Sequence, residues 1–204
     1  MSAKLLPEHL LEQARHLARR ERTRPRQASL RRAISTAYYA FFHFLIREAI
    51  RQISPNLSEE NYNRVYRWFD HGAMYRVARA FSADVVRIPN SKDVLLQNNN
   101  SKVQFIASNF AELQELRHAA DYDPGVLFLR PDVLAKINRV EDSFLLWRDV
   151  KNSPEANTFL LSFCSGKNGA TGRDAPMPDF PSMRRHDRAN METTRASRRV
   201  YNPQ

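Results

Sequence analysis

The chain has 204 residues, 42% hydrophobic and 26% charged, which suits one globular domain and is too apolar for a chain disordered throughout. Five glycines against eleven prolines argue against a barrel of tight hairpins, and the single cysteine, Cys164, excludes a disulfide framework and a Cys-based zinc site. Lys and Arg number 32 against 22 Asp and Glu, a net charge of +10 that favours an anionic partner, nucleic acid first and acidic protein second.

A first helix is predicted from about Pro7 to Glu21. Pro7 fits a first helical turn, where its missing N–H costs nothing. Leu10, Leu11, Ala14, Leu17 and Ala18 form one apolar stripe. An arginine cluster follows: eight arginines (15, 19, 20, 22, 24, 26, 31 and 32) against one acid, Glu21, give net +7 within residues 15–32. Pro25 breaks the helix there.

A second helix is predicted from Gln27 to Ile53. It carries two apolar lines. One runs through Leu30, Ala33 or Ile34, Ala37, Phe41, and Phe44 or Leu45, the other through Tyr38, Phe42, Ile46, Ala49 and Ile53. A helix apolar over so much of its circumference packs on several sides. Ser58 reads as the cap of a third helical stretch, with acids in its first turn. It runs through Phe69, breaks near Asp70-His71 beside Gly72, and resumes through Met74, Val77 and Phe81. Ser82 to Ser101 reads as a long loop, a length usual for functional segments.

A further helix, Lys102 to about Ala120, places Val103, Ile106, Ala107, Phe110 and Leu113 on one face. Arg117 falls near the centre of that face, and Asp121 joins it if the helix continues. Pro124-Gly125 ends the segment. Two more helices are predicted, Pro131 to Val150 and Pro154 to Phe163. Residues 166–204 have little periodic apolar signal and read as a disordered basic tail behind a helical domain of residues 1–165. No run reaches the roughly 18 apolar residues of a membrane span, and the N-terminus gains charge too early for a signal core. The expectation is a soluble cytoplasmic protein without membrane contact.

Arg117 is the first candidate for chemistry. An arginine on an apolar stripe needs a partner, because an unpaired buried charge is very costly. Asp121, at i+4, would make a structural ion pair; alternatively the guanidinium is held in a cleft to bind phosphate. The histidines, at 9, 16, 43, 71, 118 and 186, show no HxxxH or HExxH spacing, so no metal site is indicated. His43 reads as a satisfied core histidine, His71 stands at an accessible helix break, and His118 is turned about 100° from Arg117. Phosphate-binding loops, dinucleotide fingerprints and nucleophile elbows are absent, and no cofactor is expected. The 15–32 arginines read either as a phosphate-contacting surface or as a solvated, self-repelling face.

The helix RRAISTAYYAFFHFLIREA, with its paired Tyr38-Tyr39, resembles a helix of HEPN-domain proteins (higher eukaryotes and prokaryotes nucleotide-binding). The segment ELRHAADYDP, carrying Arg117, Ala120, Asp121 and Tyr122 with Leu113 just before it, is similar to the signature of an uncharacterised branch of that family, and His71-Gly72 before a helix resembles another of its positions. The resemblance spans about residues 5–150. It implies an all-α, HEPN-like bundle of four to five helices, a homodimer, and an association with toxin–antitoxin, defence or RNA-processing systems. An antitoxin or nucleotidyltransferase partner protein is among the implications. Catalytic members cleave RNA without metal through an arginine and a histidine with four to six residues between them. Here Tyr122 stands five residues after Arg117, and a tyrosine, with an ordinary pKa near 10, is a poor base at neutral pH.

Two expectations follow. The first is a HEPN-type protein that binds or cleaves RNA. In it Arg117, Tyr122 and His71 (or His118) carry the chemistry, Arg117, Arg31, Arg32 and Arg26 contact the nucleic acid, and Asp121 and Tyr38 support the site. The second is a non-catalytic helical interaction or dimerisation module meeting an acidic protein or antitoxin.

Overall fold

The structure is a computed structural model that describes residues 6–83, 85–87, 95–97 and 100–164. All of these belong to the first of two units into which the chain divides, Met1–Ala170 and Thr171–Gln204. The tail expected after Gly166 lies outside the described residues.

The fold is all-α. Its helices are α1 (Leu6–Arg19), α2 (Gln27–Ile53), α3 (Glu59–Tyr66), α4 (His71–Phe81), α5 (Ser101–Tyr122), α6 (Arg130–Val150) and α7 (Pro154–Ser162). That makes seven among the described residues, against the four to five implied by resemblance; the additional ones are short. The expected third stretch divides because two separate caps start helices within it. Ser58 accepts from the Asn61 amide ahead of α3, and Asp70 accepts from the Ala73 amide at 2.8 Å ahead of α4. Within the expected loop, the backbones of β1 (Val85–Arg87) and β2 (Leu95–Gln97) pair antiparallel, Val86 opposite Leu96. Three residues are too few to show a strand period in the sequence.

Two boundaries differ from the sequence reading. Helix α1 ends at Arg19, because Glu21 turns away to accept from Ser29 Oγ at 2.8 Å. Helix α5 runs through Tyr122, so Asp121 does stand one turn beyond Arg117.

Helix α2 is the axis of the bundle, with 17 of its 27 residues buried. Its phenylalanines reach two neighbouring helices. Phe41 meets Phe110 of α5 edge-on at 5.5 Å, while Phe44 stacks on Phe144 of α6 at 4.0 Å. Ile34, Ala37, Ile106, Val133 and Ile137 fill the space between, each 0–1% exposed. Burying side chains of this size contributes about 1.5–3 kcal/mol each before ordering entropy, so the α2–α5–α6 core holds the site rigidly. No helix among the described residues is long and apolar enough to cross a membrane.

Candidate functional site: an arginine and a histidine around paired tyrosines

Helix α5 presents Gln114, Arg117 and Asp121 toward the N-terminal half of α2, at three- and four-residue spacing on one face. Arg117 Nε lies 2.8 Å from Asp121 Oδ2. The angle there does not suit a hydrogen bond, so the pair is held by charge. Ser35 Oγ donates to the other Asp121 oxygen at 2.7 Å, fixing the carboxylate from α2. Arg117 Nη2 donates to Tyr39 Oη at 3.0 Å. The guanidinium carbon also lies 5.6–5.9 Å from the ring centres of Tyr38, Tyr39 and Tyr122, within cation–π range.

Arg117 is 17% exposed and Asp121 27%, so the guanidinium is enclosed yet reachable. Burial alone would lower its pKa. The Tyr39 hydroxyl and the Asp121 carboxylate outweigh that and hold it raised, so the cation is permanent. Among the described residues Nη1 makes no hydrogen bond.

His71 opens α4 and faces α2 and α5. It stacks on Phe42 at 4.0 Å and meets the Tyr39 ring edge-on at 6.1 Å. One tautomer satisfies the whole ring of hydrogen bonds around it. Gln114 Nε2 donates to the His71 carbonyl at 3.1 Å, so Gln114 Oε1 must point at Tyr38 Oη, 3.3 Å away. Tyr38 donates to that oxygen and therefore accepts from His71 Nδ1 at 2.7 Å. This assignment satisfies every member, and it leaves the lone pair of the neutral imidazole on Nε2. Burial, helped by the Arg117 charge, lowers the His71 pKa below 6.5, with Asp70 partly opposing. Burial also raises the Tyr38 hydroxyl well above its ordinary value. Tyr38 is therefore a relay and support group, never an anion at neutral pH.

The other predicted residues fall into place around this cluster. Tyr122 is 65% exposed, and its ring also lies 5.0 Å from His118; it flanks Arg117 from the solvent side. His118 is half-buried. His43 is half-buried rather than a core residue: its Nδ1 is 2.6 Å from Tyr66 Oη, burial lowers its pKa, and burial raises Tyr66 to about 12.

The arginines assigned to nucleic acid separate. Arg26 and Arg32 are exposed. Arg31 is not a surface contact, because its donors point inward. Nη1 donates to the carbonyls of Ala119 and Ala120, the latter at 2.9 Å, and Nη2 to those of Asp123 and Val126, while the guanidinium covers Phe128 at 5.6 Å. It caps the C-terminus of α5, where carbonyls lack helical partners and carry negative partial charge. Arg31 thereby fixes the turn that carries Asp121 and Tyr122.

Sequence reasoning missed Tyr39, Gln114 and Ser35. Gln114 and Ser35 stand three residues before Arg117 and Tyr38, so helical spacing was the available signal. Tyr39 is named in the tyrosine pair, but the pair alone does not say which ring faces Arg117. No group of three or more His, Cys, Asp or Glu among the described residues is placed to hold a metal ion. Comparison with protein-family models, curated proteins and solved structures finds no match to this chain.

Proposed function

We propose that this is a HEPN-type protein that acts on RNA as a metal-independent endoribonuclease. The observation that supports it is the hydrogen-bond ring through Tyr38 and Gln114, which leaves the lone pair of a neutral His71 on Nε2, within electrostatic reach of an enclosed arginine. This supplies the histidine missing from the position of Tyr122, from another helix. In this reading His71 Nε2 takes the proton of a ribose 2′-hydroxyl. The 2′ oxygen attacks phosphorus, the bond to the 5′ oxygen breaks, and that oxygen is protonated from solvent. Arg117 stabilises the charge that gathers on the non-bridging oxygens. Tyr122 donates a hydrogen bond from the open side. Tyr122, Leu127 and Leu129, each 63–65% exposed, stand at this end of the bundle. That favours a two-fold pairing which doubles the site.

The test incubates the purified full chain with total RNA in chelator. Wild type should produce 2′,3′-cyclic phosphate ends, and His71→Ala should lower the rate by about 10²–10⁴-fold, the range of general-base catalysis. Uncut RNA, or cutting equal in His71→Ala, overturns the reading.

A second reading has its own observation. Ser35, Asp121, Arg117 and Tyr39 form an internal network between α2 and α5, as a purely structural arginine would. Under it the protein is a non-catalytic helical interaction module, and substitution of Arg117 lowers stability without touching RNA affinity.

A further inference from the structure

On α2, the half-turn opposite the tyrosines faces a groove of about 990 Å³ between α1, α2 and α6. Its lining on α1 runs from Glu8 to Arg19 and on α6 from Glu141 past Trp147, so it extends for about 16 Å, three helical turns. The floor is apolar. It is built from Leu11, the stacked Phe44 and Phe144, and Trp147, with Leu145, 51% exposed, on one edge.

The charges along the groove do not cancel. Six cations and four carboxylates line it, and none of the carboxylates is free. Glu8 holds Arg47 at 3.1 Å, Glu48 holds Arg47 and Arg51 at 3.1 and 3.0 Å, and Glu141 holds Arg15 at 2.8 Å. Trp147 Nε1 donates to the second oxygen of Glu48 at 3.1 Å. Arg19, Arg148 and Lys151 are exposed and make no ion pair among the described residues. An apolar floor with an uncommitted cationic rim is the complement of an amphipathic helix with acidic flanks.

We infer that this groove docks an acidic amphipathic helix of a partner protein, about three turns long. A nucleic acid suits it less. The floor rings stack on each other and are 5 and 9% exposed, so no base can be sandwiched, and four carboxylates oppose a continuous phosphate backbone. The groove is separate from the Arg117 cluster, and a partner seated there leaves that cluster accessible.

The test uses the full chain and a stapled 14-residue helical peptide with leucines along one face and glutamates beside them. Fluorescence anisotropy should show binding. Leu145→Glu, and separately Arg148→Glu with Lys151→Glu, should each weaken it about tenfold or more, while Arg64→Glu on α3 should not. These side chains are exposed, so the variants should keep wild-type circular dichroism. On the unaltered chain, the peptide should slow amide exchange in α1 and α6. No binding, or equal binding of a lysine-for-glutamate peptide, overturns the inference. Displacement of the peptide by single-stranded RNA overturns it in favour of nucleic acid. A dimer that Leu145→Glu converts to monomer overturns it in favour of a second copy of this chain.

Discussion

Residues 15–32 hold eight arginines and one acid, whereas the last turns of α5, residues 115–122, hold one arginine and two acids. Judged by charge alone, the first region is the phosphate-binding surface. The structure divides it instead. Arg15 reaches Glu141, Arg31 caps α5, and Arg26 and Arg32 stay exposed. In the second region the lone Arg117 is surrounded by three tyrosine rings and a fixed carboxylate. What separates these arginines is the acceptors brought by a distant segment. Those acceptors decide whether a guanidinium recognises a ligand or holds the fold together.

The comparison breaks most sharply at Arg31. Arg31→Ala removes the donors to four carbonyls and the cover over Phe128. Charge-assisted hydrogen bonds contribute about 1.5–3 kcal/mol each when buried, and these carbonyls are partly wet. Chemical denaturation should therefore show a loss of about 2–4 kcal/mol in all. An unfolding midpoint unchanged from wild type would return Arg31 to the surface-contact class.

Arg117 is the next test, because the proposed function puts it in both classes. Arg117→Lys keeps the charge but loses the planar fork. RNA binding should weaken by about 1–3 kcal/mol, and folding stability should fall by less. Asp121→Asn should lower stability too, and a double-mutant cycle should show coupling between the two. Unchanged RNA affinity beside a lower melting temperature would leave Arg117 as scaffold alone.

The histidines sharpen the same contrast through pH. His71 and His43 both have pKa values lowered below 6.5 in the fold, first of all by burial. The unfolded chain then binds more protons than the folded one between the two values. Stability contributed by the neutral rings is complete above pH 6.5 and falls as pH drops through the window below it. His71→Gln should flatten part of that fall in denaturation midpoints measured across pH 4–7. A stability curve indifferent to the substitution would mean that His71 is freely solvated.

Much of the scaffold was legible because helical periodicity is strong where burial is strong. The bounds of α2 follow from its apolar lines, and the Arg117–Asp121 pair follows from four-residue spacing. The Ser58 cap followed from one hydroxyl and two acids. The rest depends on how helices dock, which leaves no local signature. Arg31 bonds to backbone carbonyls 88 to 95 residues away, and every sequence offers carbonyls. The ring joining His71, Tyr38 and Gln114 draws on three helices, so no spacing encodes it. The groove beside α1 was equally hidden, since Arg15 and Glu141 are 126 residues apart.

The smallest effect belongs to Arg26 and Arg32, and it is the one that isolates the surface class. Neither side chain is enclosed, so Arg26→Ala and Arg32→Ala should each leave stability within about 0.5 kcal/mol of wild type. If they meet phosphates, each substitution removes one released counterion. The slope of log affinity against log salt should then shallow by about 0.7, the value for a single strand. The affinity loss at low salt should be similar for every RNA sequence, because a phosphate contact reads no base. Arg31→Ala, compared at a temperature where it stays folded, should leave the slope where it was. A slope that moves for Arg31 but not for Arg32 would invert the division drawn between them. Equal slopes in all three variants would place the phosphate contacts elsewhere on the chain.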